Sequence, residues 1–207
     1  DPQVALEHQG LGGLLRRHGI ESLLQGAHQE VSQALVVTSP LWSTTRGTLQ
    51  RYARPSERHE WIAVGEPLIV DLGRAGLARG VGLHGPSVLA DAPRKQEADG
   101  RSPAGVFALG TAFGPDKPPY RGAWPWRSAG ADDYWVDDPQ SPHYNRWVTQ
   151  AMPNARSAEA LHTYRLAVVV DHNGAVSATE KAGAKVVAGA GSASLAAHSV
   201  IAGVGWG

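Results

Sequence analysis

From Gln33 onward the chain is a succession of short apolar runs cut by turn residues. Ala34-Leu35-Val36-Val37-Thr38 is closed by Ser39-Pro40. Gly47 to Tyr52, Glu60 to Val64 and Leu68 to Leu72 follow, each bounded by Gly, Pro or charge. Runs this short, punctuated this often, predict an antiparallel β meander. Further on, Gly105 to Leu109 predicts a strand with Val106 and Ala108 on one face and Phe107 and Leu109 on the other. Asp132 to Val136 predicts a return to strand, and Asp137-Asp138-Pro139 a turn. Ser157 to Leu161 predicts a short helical turn with Ser157 as its N-cap. Within Tyr164 to Val170 the stretch Leu166 to Val170 is apolar throughout, which predicts a buried strand central to its sheet.

Residues 1–32 follow another rhythm. Leu11, Leu14, Leu15, Leu23 and Leu24 recur near helical spacing, interrupted by Gly12, Gly13, Gly19 and Gly26. They predict one or two short helices, the second from near Glu21 towards Val31. The expected organisation is a helical arm over 1–32 and a single domain over 33–207. That domain is mainly β with short helices, its mixed sheets wrapped into a sandwich-like body.

Composition narrows the functions. Lys plus Arg and Asp plus Glu number 19 each, so nothing electrostatic favours nucleic acid or an anionic membrane. Cysteine is absent, which excludes disulfides, thiolate metal sites and a cysteine nucleophile in these residues. No apolar run approaches the length of a membrane span. Neither an initiator Met nor a signal-peptide pattern stands at Asp1, so a mature form or a fragment is expected. No cofactor or metal is expected, and the chain is expected to be a monomer. Gly76, Gly80 and Gly82 match no phosphate-binding fingerprint, and His84 reads as a hydrogen-bonded loop residue.

Three stretches offer candidate chemistry. Lys95 to Arg101 is a charged turn that Gly100 and Pro103 make rigid, with Gly105 opening the strand beyond it. It is either the wall of a polar-ligand pocket or a solvated connection. Arg101 either offers its guanidinium fork to a carboxylate or braces the turn against Asp99 or Glu97. His143-Tyr144-Asn145-Arg146 places four polar side chains in a row without metal-ligand spacing. Asp171-His172-Asn173 ends the apolar strand, where polar groups leave a core for a cleft or simply turn the chain. Trp124 and Trp126 with Arg121 and Arg127 make either an aromatic and basic rim for a sugar-peptide polymer or a surface cover. Trp42 and Trp61 read as core or edge caps.

The phrase K-x-E-x-D-G-R-S-P-A-G-V-F-x-L-G-x-A-F-G, Lys95 to Gly114, resembles the YkuD-type L,D-transpeptidases, the ErfK/YbiS/YcfS/YnhG group of bacterial cell-wall enzymes. Leu35 to Tyr52, Val136 to Val148 and Tyr164 to Asn173 resemble that family in the same order, so the likeness spans roughly 33 to 192. It implies an L,D-transpeptidase catalytic-domain fold, placement in the periplasm or outside the cell, and peptidoglycan stem peptides as partners. In such enzymes a cysteine thiolate, activated by histidine, attacks a stem-peptide carbonyl and passes the acyl group to an amine on another stem. The resemblance puts Arg101, His143, Tyr144, Asn145, His172 and Asn173 in or beside the substrate cleft.

Where the family carries Gly-Ser-x-Ile-Phe-x-His and then Ser/Thr-x-Gly-Cys, this sequence runs Ala188 to Ala193 and then Ser194-Leu195-Ala196-Ala197-His198. His198 falls one position late and no cysteine follows, so the fold is expected to be C-terminally incomplete and the chain inactive as a transpeptidase. A serine at 192 or 194 lacks the third group that would orient the base. The alternative expectation is a non-catalytic peptidoglycan-binding module of the cell envelope.

Overall fold

A computed structural model of the chain describes residues 32–56, 58–83, 92–150 and 157–172, and the backbone of 184–188. In chain order its strands are β1 (Gln33–Thr38), β2 (Arg46–Ala53), β3 (Ile62–Asp71), β4 (Leu77–Arg79), β5 (Ser102–Ala104) and β6 (Val106–Gly114). There follow β7 (Trp126–Ser128), β8 (Asp133–Val136), β9 (Arg146–Thr149), β10 (Ala158–Ala160), β11 (Ala167–Val170) and β12 (Ala184–Ala188). The only helical segment among the described residues is a 3-10 turn, Leu161–Thr163. The protein is therefore mainly β. The predicted arm falls, but for Ser32, outside the described residues.

The predicted meander forms. β1 pairs antiparallel with β2, setting Leu35 opposite Arg51 and Val37 opposite Leu49, and β2 pairs antiparallel with β3. The two runs expected at Glu60 to Val64 and Leu68 to Leu72 are one strand. Its register slips against β2 between Leu49 and Arg51, where Gly65 takes φ +72°. The Gln50 amide crosses this bulge, donating to the Val64 and Gly65 carbonyls at 3.2 and 3.1 Å. β3 is the edge of its sheet, where Pro67 costs no ladder bond and Glu66 discourages pairing with another chain.

That sheet runs β11-β6-β12-β1-β2-β3, with β7 added to the end of β6. β12 lies parallel to β1 and antiparallel to β6, so it joins the meander to the later strands. β6 is the hub, with Phe107 and Leu109 on one face and Val106 and Ala108 on the other, as its alternation predicts. β8, β9 and β10 form a separate antiparallel sheet, and β4 with β5 a parallel pair. One core gathers Leu35, Val37, Leu49, Leu77 and Leu109; a second gathers Phe113, Ala129, Leu161 and Ala167.

Two expectations change. The Tyr164 to Val170 run contributes only Ala167–Val170, and β11 stands at the end of the sheet, paired with β6 alone. Its apolar character has another cause: Val168 and Val170 pack on the first core, Ala167 and Val169 on the second. A strand wedged between two cores is apolar on both faces without being central. Ser157 does not cap a helix. Its hydroxyl donates to the Asp137 carboxylate, Ala158–Ala160 pair with β8, and the helical turn begins at Leu161. Pairing with β8 satisfies the backbone that a helix would have claimed.

Candidate functional site

The Lys95 to Arg101 turn is held from inside. Asp99 accepts from Lys95 Nζ at 2.7 Å and from the backbone N–H groups of Gln96 and Arg101, each at 2.8 Å. Burial pushes the Asp99 carboxyl up, but these donors and the Lys95 charge outweigh it and hold it below the usual carboxylate range. Gly100 sits at φ +67°, packed over Arg74, and its carbonyl accepts from Ala75 N. Pro103 is buried in β5 rather than in the turn, opposite Ala78 of β4, and Gly105 links β5 to β6. Arg101 Nη1 donates to the Leu77 carbonyl at 2.8 Å. Its guanidinium therefore braces the turn, as one of the two readings held, but against the β4 backbone and not against Asp99 or Glu97.

Residues far apart in the chain meet at this turn. Tyr144 donates its hydroxyl to Glu97 Oε2 at 2.5 Å. Asn145, at φ +58°, donates its side-chain amide to the His172 carbonyl at 3.1 Å and its backbone N–H to Val136. His172 is buried, its ring edge-on to Phe107 at 5.7 Å between centroids. Its Nδ1 lies 3.1 Å from Val81 N and 3.2 Å from the Val81 carbonyl oxygen, so it accepts from the N–H when the ring proton sits on Nε2 and donates to the carbonyl when the proton sits on Nδ1. The ring fits there because residue 80 is glycine: a Cβ at Gly80 would stand 2.8 Å from His172 Nδ1 and 2.7 Å from Pro103 Cβ. Arg101, Tyr144, Asn145 and His172 thus belong to one frame. His143 contributes a backbone N–H to Ser141 Oγ, and Arg146 is exposed at the start of β9. His84, Asn173, Ser192, Ser194 and His198 lie outside the described residues.

The expected aromatic and basic rim divides in two. Trp126 donates to the Asp116 carbonyl and meets Tyr120 edge-on, while Arg127 lies 4.0 Å over the Trp147 ring and 3.4 Å from Asp133. Asp133, which sequence reasoning left unremarked, is buried and accepts from Trp147 Nε1 at 2.7 Å, Thr149 Oγ1 at 2.8 Å and Gly130 N at 2.8 Å. These residues hold β7, β8 and β9 together. Trp61 is buried under the Arg54 guanidinium at 4.4 Å, and Trp42 packs on the first core, so both cap the core as read.

Trp124 and Arg121 instead border a groove of about 370 Å³ on the main sheet. Its floor is Leu35, Leu109, Ala112, Leu166 and Val168; Arg51 enters from β2, and Gln33 and Tyr120 complete the polar lining. Arg51 had no signal in the sequence as a site residue, because only the register that sets it opposite Leu35 brings it to this face.

The class these features define is a mainly β domain with a histidine-containing polar frame and an apolar groove on its main sheet. Compared with models of known families, with curated proteins and with solved structures, the chain matches none. Among the described residues no group of His, Asp and Glu is placed to hold a metal ion, and no helix is long and apolar enough to cross a membrane.

Proposed function

We propose that this chain is an L,D-transpeptidase-like domain of the bacterial cell envelope that holds peptidoglycan stem peptides without acylating itself. One observation carries the reading. Stretches that resemble the family and lie far apart in sequence converge through direct bonds, Glu97 to Tyr144 and Asn145 to His172. A resemblance arising by chance gives no reason for those residues to touch. The frame also presents what a stem peptide requires, backbone and side-chain polar groups fixed in place before binding.

The chemical half of the proposal rests on composition. A thioester needs a thiolate, and these 207 residues contain no cysteine. Binding, therefore, is the function left to the frame.

The test has two arms. With a carbapenem or a tetrapeptide stem, intact-mass spectrometry is expected to show no adduct, and a stoichiometric adduct on any residue would end the non-catalytic reading. Calorimetry with soluble muropeptide is expected to show saturable binding; its absence in the parent chain would end the binding reading.

A further inference from the structure

Asp99 is the only aspartate in the sequence followed directly by glycine. In such a pair the side-chain carboxyl and the next amide nitrogen can close a five-membered ring, because no Cβ on residue 100 hinders the approach. We propose that Asp99-Gly100 is a covalent modification site, an aspartate that isomerises to isoaspartate, and that the folded turn holds it unreactive with Lys95 as its guard. The proposal does not rest on stem-peptide binding.

The reaction needs nothing from outside but water. The Gly100 nitrogen bonds to Asp99 Cγ, and the hydroxyl of the protonated carboxyl leaves as water with the amide proton. A succinimide remains. A water molecule then opens the ring. Breaking the Cγ–N bond restores aspartate; breaking the bond between the nitrogen and the main-chain carbonyl carbon leaves isoaspartate. The backbone then runs through Cβ and Cγ of residue 99, and the former main-chain carbonyl is a free carboxylate.

The structure shows both the competence of the pair and what restrains it. The Gly100 N–H has no hydrogen-bond partner among the described residues, so the attacking nitrogen gives up no bond of the fold. Restraint comes from the carboxylate. Asp99 Oδ1 accepts from Lys95 Nζ at 2.7 Å and from Arg101 N at 2.8 Å, and Oδ2 accepts from Gln96 N at 2.8 Å. With both oxygens pinned, Cγ cannot swing towards the Gly100 nitrogen unless the turn opens locally. The ionised carboxylate also lacks a leaving group, since the ring closes on the neutral acid. Lys95 keeps it ionised from close by: its side chain is 7% exposed and that of Asp99 18%, so solvent screens the pair little. Ring closure draws Asp99 off all three donors. It thereby loosens the turn from which Arg101 reaches the Leu77 carbonyl and Glu97 meets Tyr144.

The experiment follows the full chain through weeks at mildly acid pH, folded and in urea, and reads the tryptic peptide that ends at Arg101. Electron-transfer fragmentation tells isoaspartate from aspartate at equal mass. Isoaspartate at residue 99 is expected to form about tenfold or more faster in urea than in the folded parent. Folded Lys95→Met is expected to exceed the folded parent about tenfold, and Lys95→Arg, which keeps the charge, to stay close to the parent. Should Lys95→Met fail to fold by circular dichroism, Lys95→Gln takes its place, removing the charge while keeping a donor for Asp99. No isoaspartate in urea would overturn the site. Equal rates in urea and in the folded parent would overturn the restraint by the turn. A parent-like rate in the folded, uncharged variant would overturn the role of Lys95.

Discussion

Removing the Asp133 carboxylate is the sharpest test of how the second core is held. Asp133→Ala strips an acceptor from four donors, but they do not suffer alike. Thr149, Arg127 and Gly130 are exposed and their donors turn to water, whereas the half-buried Trp147 indole N–H loses its partner beside the core. One such donor costs about 1–3 kcal/mol. Against a total of roughly 5–15 kcal/mol that is an appreciable fraction. At about 2–4 °C per kcal/mol for a chain of this size, the melting temperature should fall by roughly 2–12 °C.

The pH dependence gives an independent reading. Burial pushes the Asp133 carboxyl up, but the bonds from Trp147, Gly130 and Thr149 and the Arg127 charge outweigh it, so the folded group lies below its ordinary value. A depressed carboxylate stabilises the fold above its unfolded pKa of about 3.9, and that contribution is lost as pH falls through the folded value. Thermal melts by circular dichroism from pH 7 to pH 3 should therefore show a shallower acid loss in Asp133→Asn than in the parent. Asp99, shifted the same way, keeps the slope from vanishing. If Asp133→Ala melts within about 2 °C of the parent with an unchanged acid slope, Asp133 does not hold these strands together.

Arg101→Ala removes the bond to the Leu77 carbonyl, a charge-assisted interaction of about 1.5–3 kcal/mol, and a urea midpoint lowered without a change in slope would register it. A parent-like midpoint would mean that the guanidinium does not brace the turn. Gly76→Ala and Gly65→Ala separate backbone strain from collision. Both residues have positive φ, worth about 1–2 kcal/mol each when a Cβ is added, but only at Gly76 would that Cβ stand 2.1 Å from a backbone atom, Trp42 O. Gly76→Ala should thus fail to fold or melt far below Gly65→Ala; equal melts would refute the close approach.

What the sequence by itself determined is what depends on near neighbours. The apolar runs at 34–38, 47–52 and 105–109 placed β1, β2 and the first half of β6, because alternation and turn residues act within a few positions. The Lys95 to Arg101 turn was legible for the same reason, since Asp99 and Gly100 complete it locally. Tertiary structure decided what depends on strand order. It put β12 between β6 and β1, sent β11 to the end of the sheet, and turned the apolar run 167–170 into a wedge between two cores. The site followed the same division. Tyr144, Asn145 and His172 could be picked out as polar residues beside predicted strands, yet their partners, Glu97, the His172 carbonyl and Val81, are chosen by how the sheets meet. Arg51 became a groove residue only through its register with Leu35. Periodicity tells which face of a strand a side chain takes; which other strand shares that face is settled by the packing of the whole.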